Sequence, residues 1–349
     1  MLILLLIYFA VVLWGAKPHL KQGNSQYISI ENTTAIKGIF ILMVFYSHFN
    51  SYIALTDSIY DTVYIKFFRF IGQAMVALFM FYSGFGVMES ITRKGTDYVL
   101  KMPKNRILKT LINFDFAVLL FLVLRVVFKQ TTTLKQFALS LVGWDSLGNS
   151  NWYIFVILLL YLLTFLVFAV IRKQTEFARF SAVFVLTGTL LAIICLTFYF
   201  HARPGYWYDT AMCYALGMGY SLVRKTAEKI INKNLFTWGL FLVLSGAAYT
   251  ILKGHHIFIE CIANVFFAIF VVILTMRITL KNKILTWCGD HLFEIYILQR
   301  IPMIIFQNIG LARFNVYLYF VVCVAVTIGL SLVFRFLTNK LWKYTKLFS

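Results

Sequence analysis

The chain has 349 residues, of which 61% are hydrophobic, 18% aromatic and only 13% charged, and its formal net charge is +19. A soluble globular domain is about half apolar and about a quarter charged, so this composition excludes that class and indicates a polytopic membrane protein. A strong basic excess is also typical of nucleic-acid-binding proteins, and the position of the charges along the chain decides between the two.

Apolar runs long enough to cross a bilayer recur along the whole chain, with no soluble module between them. They predict an all-α transmembrane bundle of ten or eleven spans. The segment 207–222 is short for a span, and the connection 129–150 is long and polar. In chain order, we place the eleven spans at 2–15, 35–51, 65–88, 107–128, 151–171, 180–200, 207–222, 235–252, 257–276, 285–307 and 315–337.

The basic residues are concentrated in every second connection between the spans. One set of alternate loops, with the C-terminal tail and adjoining span ends, has 22 of the 32 Lys and Arg residues, and the opposite set has 8. This asymmetry is the positive-inside pattern, which predicts a cytoplasmic C-terminus and, for eleven spans, an N-terminus outside. The charge therefore reflects membrane topology, and we expect no nucleic-acid partner.

The first run, MLILLLIYFAVVLWG, lacks the basic start of a signal peptide, and Lys17 and Lys21 follow it instead. We expect 1–30 to be a retained anchor span with its cytoplasmic connection, followed by a single membrane domain over 31–349. The five cysteines occur singly, and the adjacent His255 and His256 point in different directions, so no metal or disulfide spacing is present.

The segment IKGIFILMVFYSHFN has Lys37 near its start and His48 near its end. Eleven residues at about 100° each make close to three turns, so both side chains lie on one helix face, about 16 Å apart along the axis. Ionisable groups in a span are costly and often functional. Lys37 either extends to the lipid headgroups or binds an anionic substrate, and His48 is either a structural hydrogen-bonding group or a proton-transferring base.

The span WCGDHLFEIYILQRIPMIIF contains several polar residues, including Glu294, Gln299 and Arg300. Such a span is poorly suited to face lipid, so we expect it to line a cavity. Pro302 predicts a kink, because proline removes one helical hydrogen bond.

These segments together resemble the integral-membrane acyltransferase-3 family, over about 31–337. The pattern of a basic residue, ten intervening residues and a histidine is similar to the family's early span. The family has arginine where this chain has Lys37. FYSGFGVMES, KNRILKTL, GNSNWYIF, CYALGMGY and WCGDHLFEIYILQRIP resemble later family blocks in the same order, with Gln299 where many members have histidine. The resemblance implies transfer of an acyl group, usually acetyl, from cytoplasmic acyl-CoA to a hydroxyl of a glycan outside the cytoplasm.

The residues of this chain suit that chemistry at several points. His48 is the predicted catalytic base, and Glu294 is predicted to orient His48 or a substrate. For acyl-CoA phosphates we predict Lys37, Lys104, Arg106 and Lys109, of which the last three could equally be ordinary positive-inside anchors. For the glycan acceptor we predict Trp152, Tyr153, Ser83 and Gln299; the two aromatic residues could instead form an interfacial belt, and Ser83 could simply permit helix packing.

Two other function classes remain open from the sequence. A transporter or flippase would use the same polar spans as its pathway, but one proline break without a matching half argues against the usual inverted repeats. A membrane domain without chemistry is also compatible with the fold. The enzyme interpretation predicts acyl-CoA as a co-substrate and no permanently bound cofactor. It also predicts a location in the cell membrane, in contact with lipid. A homo-oligomer is possible.

Overall fold

The computed structural model describes residues 1–56, 58–171 and 173–345, and over these residues the regular structure consists of helices and one two-residue β-ladder, joined by turns and loops. The all-α fold class is confirmed. The first nine helices are α1 Leu2–Leu13, α2 Ile30–Phe49, α3 Ile59–Ile71, α4 Ala74–Lys94, α5 Thr96–Met102, α6 Lys109–Val127, α7 Leu134–Leu141, α8 Trp152–Ala169 and α9 Glu176–Tyr199. The others are α10 Met212–Ile231, α11 Leu235–Leu252, α12 Ile257–Thr275, α13 Lys283–Asp290, α14 Leu292–Leu298, α15 Arg300–Asn308, α16 Leu311–Phe314 and α17 Val316–Thr345.

Seven helical segments within the described ranges are long and apolar enough to cross a membrane. They correspond to seven of the eleven predicted spans, and they make the chain a multi-pass membrane protein. The segments are Ile59–Lys94, Thr96–Val127, Trp152–Ala169, Glu176–Tyr199, Leu235–Leu252, Ile257–Thr275 and Val316–Thr345. The predicted spans 2–15, 35–51, 207–222 and 285–307 are outside this set; α1, for example, has only 12 residues.

The prediction that 285–307 forms a single kinked helix is wrong. The chain forms three short helices there, α13, α14 and α15, with interruptions at His291 and Gln299. Pro302 lies in the first turn of α15, where a missing backbone N–H costs nothing because it has no helical partner. The helix therefore breaks before the proline rather than at it.

Two other segments differ from the sequence prediction. The span 65–88 begins inside α3 and continues into α4, and Gly72, with a φ of 51°, separates the two helices. A side chain disfavours this left-handed conformation, which explains why the residue is glycine. The connection 129–150 contains the helix α7, whose first turn is capped by the Thr133 hydroxyl, which accepts a hydrogen bond from the Gln136 amide.

The helices fall into two compact units. The first comprises Met1–Phe40, Thr62–Leu100 and Leu163–Asp290. Its central crossing is between α4 and α10, where a Cβ atom at Gly84 would lie 2.0 Å from the carbonyl oxygen of Tyr214 and one at Gly217 would lie 2.0 Å from that of Phe81. The two backbones are in direct contact, as small residues allow in membrane helices.

The same unit has the β-ladder, which joins β1 Lys17–Pro18 to β2 Ile278–Thr279 in antiparallel register. Lys17 pairs with Thr279, so the connection after α1 and the connection after α12 lie side by side. The charge pattern predicts both connections on the same face of the membrane, and the ladder agrees with that prediction.

The second unit comprises Ile41–Asp61, Lys101–Leu162 and the chain from His291 onwards. The end of α2 packs against α17: the ring of Phe49 lies 4.9 Å from Tyr319 and 5.2 Å from Phe320. The Tyr319 hydroxyl donates a 2.8 Å hydrogen bond to the carbonyl of Met303, which joins α17 to α15. These contacts fix the last turn of α2, where His48 lies.

Candidate functional site

His48 lies in the last turn of α2, a continuous helix that also contains Lys37. The absence of any interruption between the two residues confirms the geometric premise of the sequence analysis, because their shared face requires a regular helix. His48 belongs to the second unit and is half-buried, whereas Lys37 belongs to the first.

The polar partner of His48 is Ser150, a residue that the sequence analysis did not predict. The Ser150 hydroxyl lies 3.4 Å from Nδ1 of His48, and Ser150 is only 4% exposed. When this hydroxyl accepts a hydrogen bond from Nδ1–H, the lone pair of Nε2 is left available to take a proton. The arrangement suits a general base.

The loop that presents Ser150 is held by its own side chains. Oδ1 of Asn149 accepts a 2.9 Å hydrogen bond from the backbone amide of Leu147. Asn151 uses its side-chain amide to donate to the carbonyl of Gly143 at 2.9 Å and to that of Asp145 at 3.1 Å. Asparagine side chains commonly stabilise turns in this way. The position of Ser150 is therefore fixed by the segment GNSN rather than by a helix.

Two tyrosines lie beside the imidazole. The ring of Tyr296 lies 6.2 Å from that of His48, and the ring of Tyr153 packs edge-on against Tyr296 at 5.4 Å. Both tyrosines are buried. Tyr153, predicted from the sequence to bind the acceptor, is thus part of the wall around His48.

Arg300 completes the surroundings of His48 at the interruption between α14 and α15. Its positive charge lies within electrostatic range of the imidazole. It also forms a hydrogen bond with Tyr52, which lies in the 3-10 turn that directly follows α2. The break at Gln299 places this cation at the start of a new helix instead of inside a continuous one.

Four buried polar atoms near this point have no hydrogen-bond partner among the described residues: Nδ2 of Asn149, Nε of Arg300, Oε1 of Gln299 and the hydroxyl oxygen of Tyr296. Asn149 precedes Ser150, and Gln299 precedes Arg300. The two nitrogen atoms are donors, Oε1 is an acceptor, and the hydroxyl can be either. A reacting carbonyl oxygen could accept from the donors, and a substrate hydroxyl could donate to Oε1. The acceptor-binding role of Gln299 stays a prediction.

Glu294 faces a separate pocket. This cavity of about 330 Å³, which we name the Lys109 pocket, lies between α6, α14 and α17. Arg335 acts electrostatically on Glu294 there. Glu294 and Tyr296 are two residues apart, which is about 200° around the helix, so they point to opposite sides. The lining residues are Lys109, Thr110, Asn113, Phe293, Glu294, Arg335, Thr338, Asn339 and Trp342.

The predicted orientation of His48 by Glu294 is therefore not observed in the described part of the chain; Ser150 takes that position. Lys109 and Glu294, which the sequence analysis assigned to different roles, instead line one pocket. Lys104 and Arg106 are exposed on the π-helical turn Pro103–Leu108, immediately before α6. Nothing in this placement contradicts a role for them in binding an anionic donor.

A second, more polar cavity of about 810 Å³ lies at the other end of α17. We name it the Tyr52 pocket. Its lining residues are Ser51, Tyr52, Ile53, Ala54, Gln307, Asn308, Gly310, Ala312, Arg313 and Val316. Val316 begins α17 and Arg335, nineteen positions later, lines the Lys109 pocket, so the pockets are separated by about 28 Å along the helix. This distance is close to the thickness of a bilayer core, about 30 Å.

The remaining predicted acceptor residues have different positions. Trp152 is the first residue of α8 and is half-exposed, with its ring 6.1 Å from that of Tyr153. Ser83 lies in the first unit, half-buried on α4 beside Gly84. The close contact at Gly84 agrees with the alternative in which this segment permits helix packing.

Some of the site residues that the sequence analysis missed lie in segments that it had already noted. Ser150 lies in the quoted segment GNSNWYIF, and Arg300 was noted among the polar residues of the segment around Pro302. Tyr296 had no signal of its own, because an aromatic residue in an apolar span is usually part of the packed core. The approach of Ser150 to His48 joins positions 102 residues apart, and no local pattern could predict it.

The family model described as an acyltransferase domain matches residues 30–336, which is most of the sequence. No curated protein and no solved structure matches. The match covers the segment that resembles the family, including Lys37, His48 and the interrupted helices around Glu294. The chain therefore belongs to the acyltransferase-3 family and is a membrane acyltransferase.

Proposed function

We propose that the protein is an O-acyltransferase that moves an acyl group, acetyl in the simplest case, from acyl-CoA to a hydroxyl of a glycan. The observation that supports this most directly is His48, held by Ser150 and placed in a unit that has one pocket at each end of α17. Membership of an acyltransferase family argues against the transporter and non-catalytic alternatives.

The proposed chemistry begins with the acceptor hydroxyl attacking the thioester carbonyl while Nε2 of His48 takes its proton. The developing oxyanion is stabilised by donors such as Nε of Arg300 and Nδ2 of Asn149. Collapse of the tetrahedral intermediate breaks the C–S bond, and the imidazolium returns the proton to the sulfur. The products are an ester and free CoA, so all atoms and protons balance.

The donor is proposed to enter at the Lys109 pocket. Lys109 and Arg335 supply two cations for phosphates, and Trp342 provides an aromatic surface. The exposed Lys104 and Arg106 extend this basic region in the proposal, and Lys37, in the other unit, stays a predicted donor-binding residue. Glu294 here has a positioning role towards Arg335, rather than the catalytic role that the sequence suggested.

The acceptor is proposed to enter at the Tyr52 pocket. Its lining has hydroxyl, amide and guanidinium groups, which suit the many hydroxyls of a sugar. Tyr52 forms a hydrogen bond with Arg300, whose charge reaches His48, so the pocket adjoins the proposed reaction centre. Gln299, Trp152 and Tyr153 would complete the acceptor side.

The proposed location is the cell membrane, with the C-terminus in the cytoplasm. The charge pattern supports this orientation, because the end of α17 that lines the Lys109 pocket leads into the basic tail. Acyl-CoA would then arrive from the cytoplasm, and the glycan would lie on the opposite side.

Purified protein in lipid nanodiscs, given radiolabelled acetyl-CoA with candidate glycans, tests the proposal. We expect release of CoA together with label in an alkali-labile ester on the glycan, and neither with His48→Ala. Release of CoA without a labelled acceptor would show hydrolysis instead of transfer. Label that is transferred equally well by His48→Ala would contradict the assignment of the base.

A further inference from the structure

A short non-helical segment in the first unit is buried although it is polar. It lies between the 3-10 turn Gly205–Trp207 and α10, and contains Asp209 and Thr210. Asp209 is 4% exposed and Thr210 is fully buried. A buried polar segment of irregular backbone in a membrane protein usually lines a cavity or binds an ion. The segment lies in a different unit from His48 and has no part in the proposed transfer.

Three oxygen atoms at this segment have no hydrogen-bond partner among the described residues. They are Oδ1 of Asp209, Oγ1 of Thr210 and Oδ1 of Asn264. Asn264, on α12, is fully buried, and its side-chain nitrogen donates to the backbone carbonyl of Asp209 at 3.2 Å. This bond places the Asn264 amide against the segment and leaves its oxygen to accept from another group.

The charge of Asp209 is not balanced by a neighbouring ion pair in the described part of the chain. Lys253 and Glu260 act on Asp209 electrostatically, but they pair with each other, and Glu260 also accepts from the amide of Gly254 at 2.9 Å. The Thr210 amide donates to the Asp209 carboxylate. The other titratable groups near it, Tyr208, Cys213 and Cys261, are uncharged in their usual state and supply no positive charge.

The chemistry of these three oxygens indicates the type of ligand. A proton on Asp209 would remove the buried charge and, with the hydroxyl of Thr210, would supply two donors. A cation contacts carboxylate, hydroxyl and amide oxygens together and cancels the buried charge. A single carboxylate matches a monovalent ion, whereas Mg²⁺ requires near-octahedral geometry and usually retains several waters.

We propose that Asp209, Thr210 and Asn264 form a sodium-binding site that stabilises the first unit. The site joins α10 to α12 through Asn264, so occupancy would hold these two helices together. It does not depend on the proposed acyl transfer, and its test does not use activity.

Thermal unfolding of the full chain in detergent micelles tests the site. NaCl replaces N-methyl-D-glucamine chloride at constant ionic strength, and the Tm of the wild type should rise with the logarithm of the sodium concentration. Asp209→Asn should lose this dependence. Thr210→Ala should need about tenfold more sodium for the same rise in Tm, which is the effect of losing one good contact. Direct binding of ²²Na⁺ should saturate near one ion per chain.

Asp115→Asn is the control, because Asp115 is a half-buried aspartate that also has an unpartnered oxygen but lies in the second unit. It should keep the full sodium response. An equal Tm in sodium and N-methyl-D-glucamine, or a response retained by Asp209→Asn, would overturn the proposal. A response to pH with none to sodium would also overturn it, since it would show that Asp209 has a proton instead. Should Asp209→Asn fail to fold, Thr210→Ala and ²²Na⁺ binding still decide.

Discussion

The hydroxyl of Ser150 lies 3.4 Å from Nδ1 of His48, so a buried serine on a loop orients the imidazole in the last turn of α2. A neutral hydrogen bond of this type contributes about 0.5–1.5 kcal/mol. Ser150→Ala should therefore lower kcat by up to about tenfold, with the KM for acyl-CoA unchanged. Ser150→Thr keeps the hydroxyl and should restore part of the rate. A Ser150→Ala enzyme with wild-type kcat would show that the contact has no positioning role.

The removal of His48 should have a much larger effect. Loss of a general base costs about 10² to 10⁴ in rate, so His48→Ala should abolish measurable transfer. Expression, membrane insertion and Tm should stay near the wild type, because the end of α2 is fixed by Phe49 rather than by the imidazole. Retention of most of the kcat in His48→Gln would contradict a base at this position and direct the search to Glu294.

The Lys109 pocket predicts a separation of donor binding from catalysis. Lys109→Gln should raise the KM for acyl-CoA by about tenfold or more, since a charge-assisted contact is worth about 1.5–3 kcal/mol. Lys340→Gln is the control, because Lys340 is exposed on α17 and is not among the residues that line the pocket. Initial rates at varied donor concentration separate KM from kcat. An equal effect of both substitutions would show that the pocket does not bind the donor.

Glu294→Gln distinguishes the sequence-based role of this residue from its observed position. Glu294 faces Arg335 and the Lys109 pocket, so its substitution should change the KM for acyl-CoA and leave kcat within about tenfold of the wild type. The pH profile of kcat should also keep its shape. A loss of kcat as large as that of His48→Ala would restore the catalytic role that the sequence analysis predicted.

Gly84 and Gly86 form a matched pair on α4. A Cβ at Gly84 would lie 2.0 Å from the Tyr214 carbonyl, whereas a Cβ at Gly86 meets nothing within 4 Å. Gly84→Ala should destabilise the protein by about 1–3 kcal/mol through overpacking. Gly86→Ala should be neutral or stabilise it by up to about 1 kcal/mol, because alanine favours helix. Thermal unfolding compares them, and a Gly84→Ala protein as stable as Gly86→Ala would contradict the close crossing.

The sequence predicted the regular parts of this fold well. The expected span 235–252 is the helix Leu235–Leu252, because its apolar run ends at polar residues and Asn234 caps its start. The interruptions at Gly72 and Gln299 were not predicted, since an apolar run indicates burial and does not indicate where the backbone leaves the helix. His48 was found because an ionisable residue in a span is unusual, whereas Ser150 and Tyr296 become significant only through contacts between distant segments.

The length of α17 has a consequence for the direction of the proposed reaction. With the proposed donor pocket and the proposed acceptor pocket about 28 Å apart along this helix, the nucleotide part of CoA would not need to leave its side of the bilayer. Only the small uncharged acyl group would change sides. Reversal would require free CoA to return to the Lys109 pocket while the ester is still at the other end. The ratio of acylated to free CoA on one side of the membrane would then set how completely the glycan on the other side is modified.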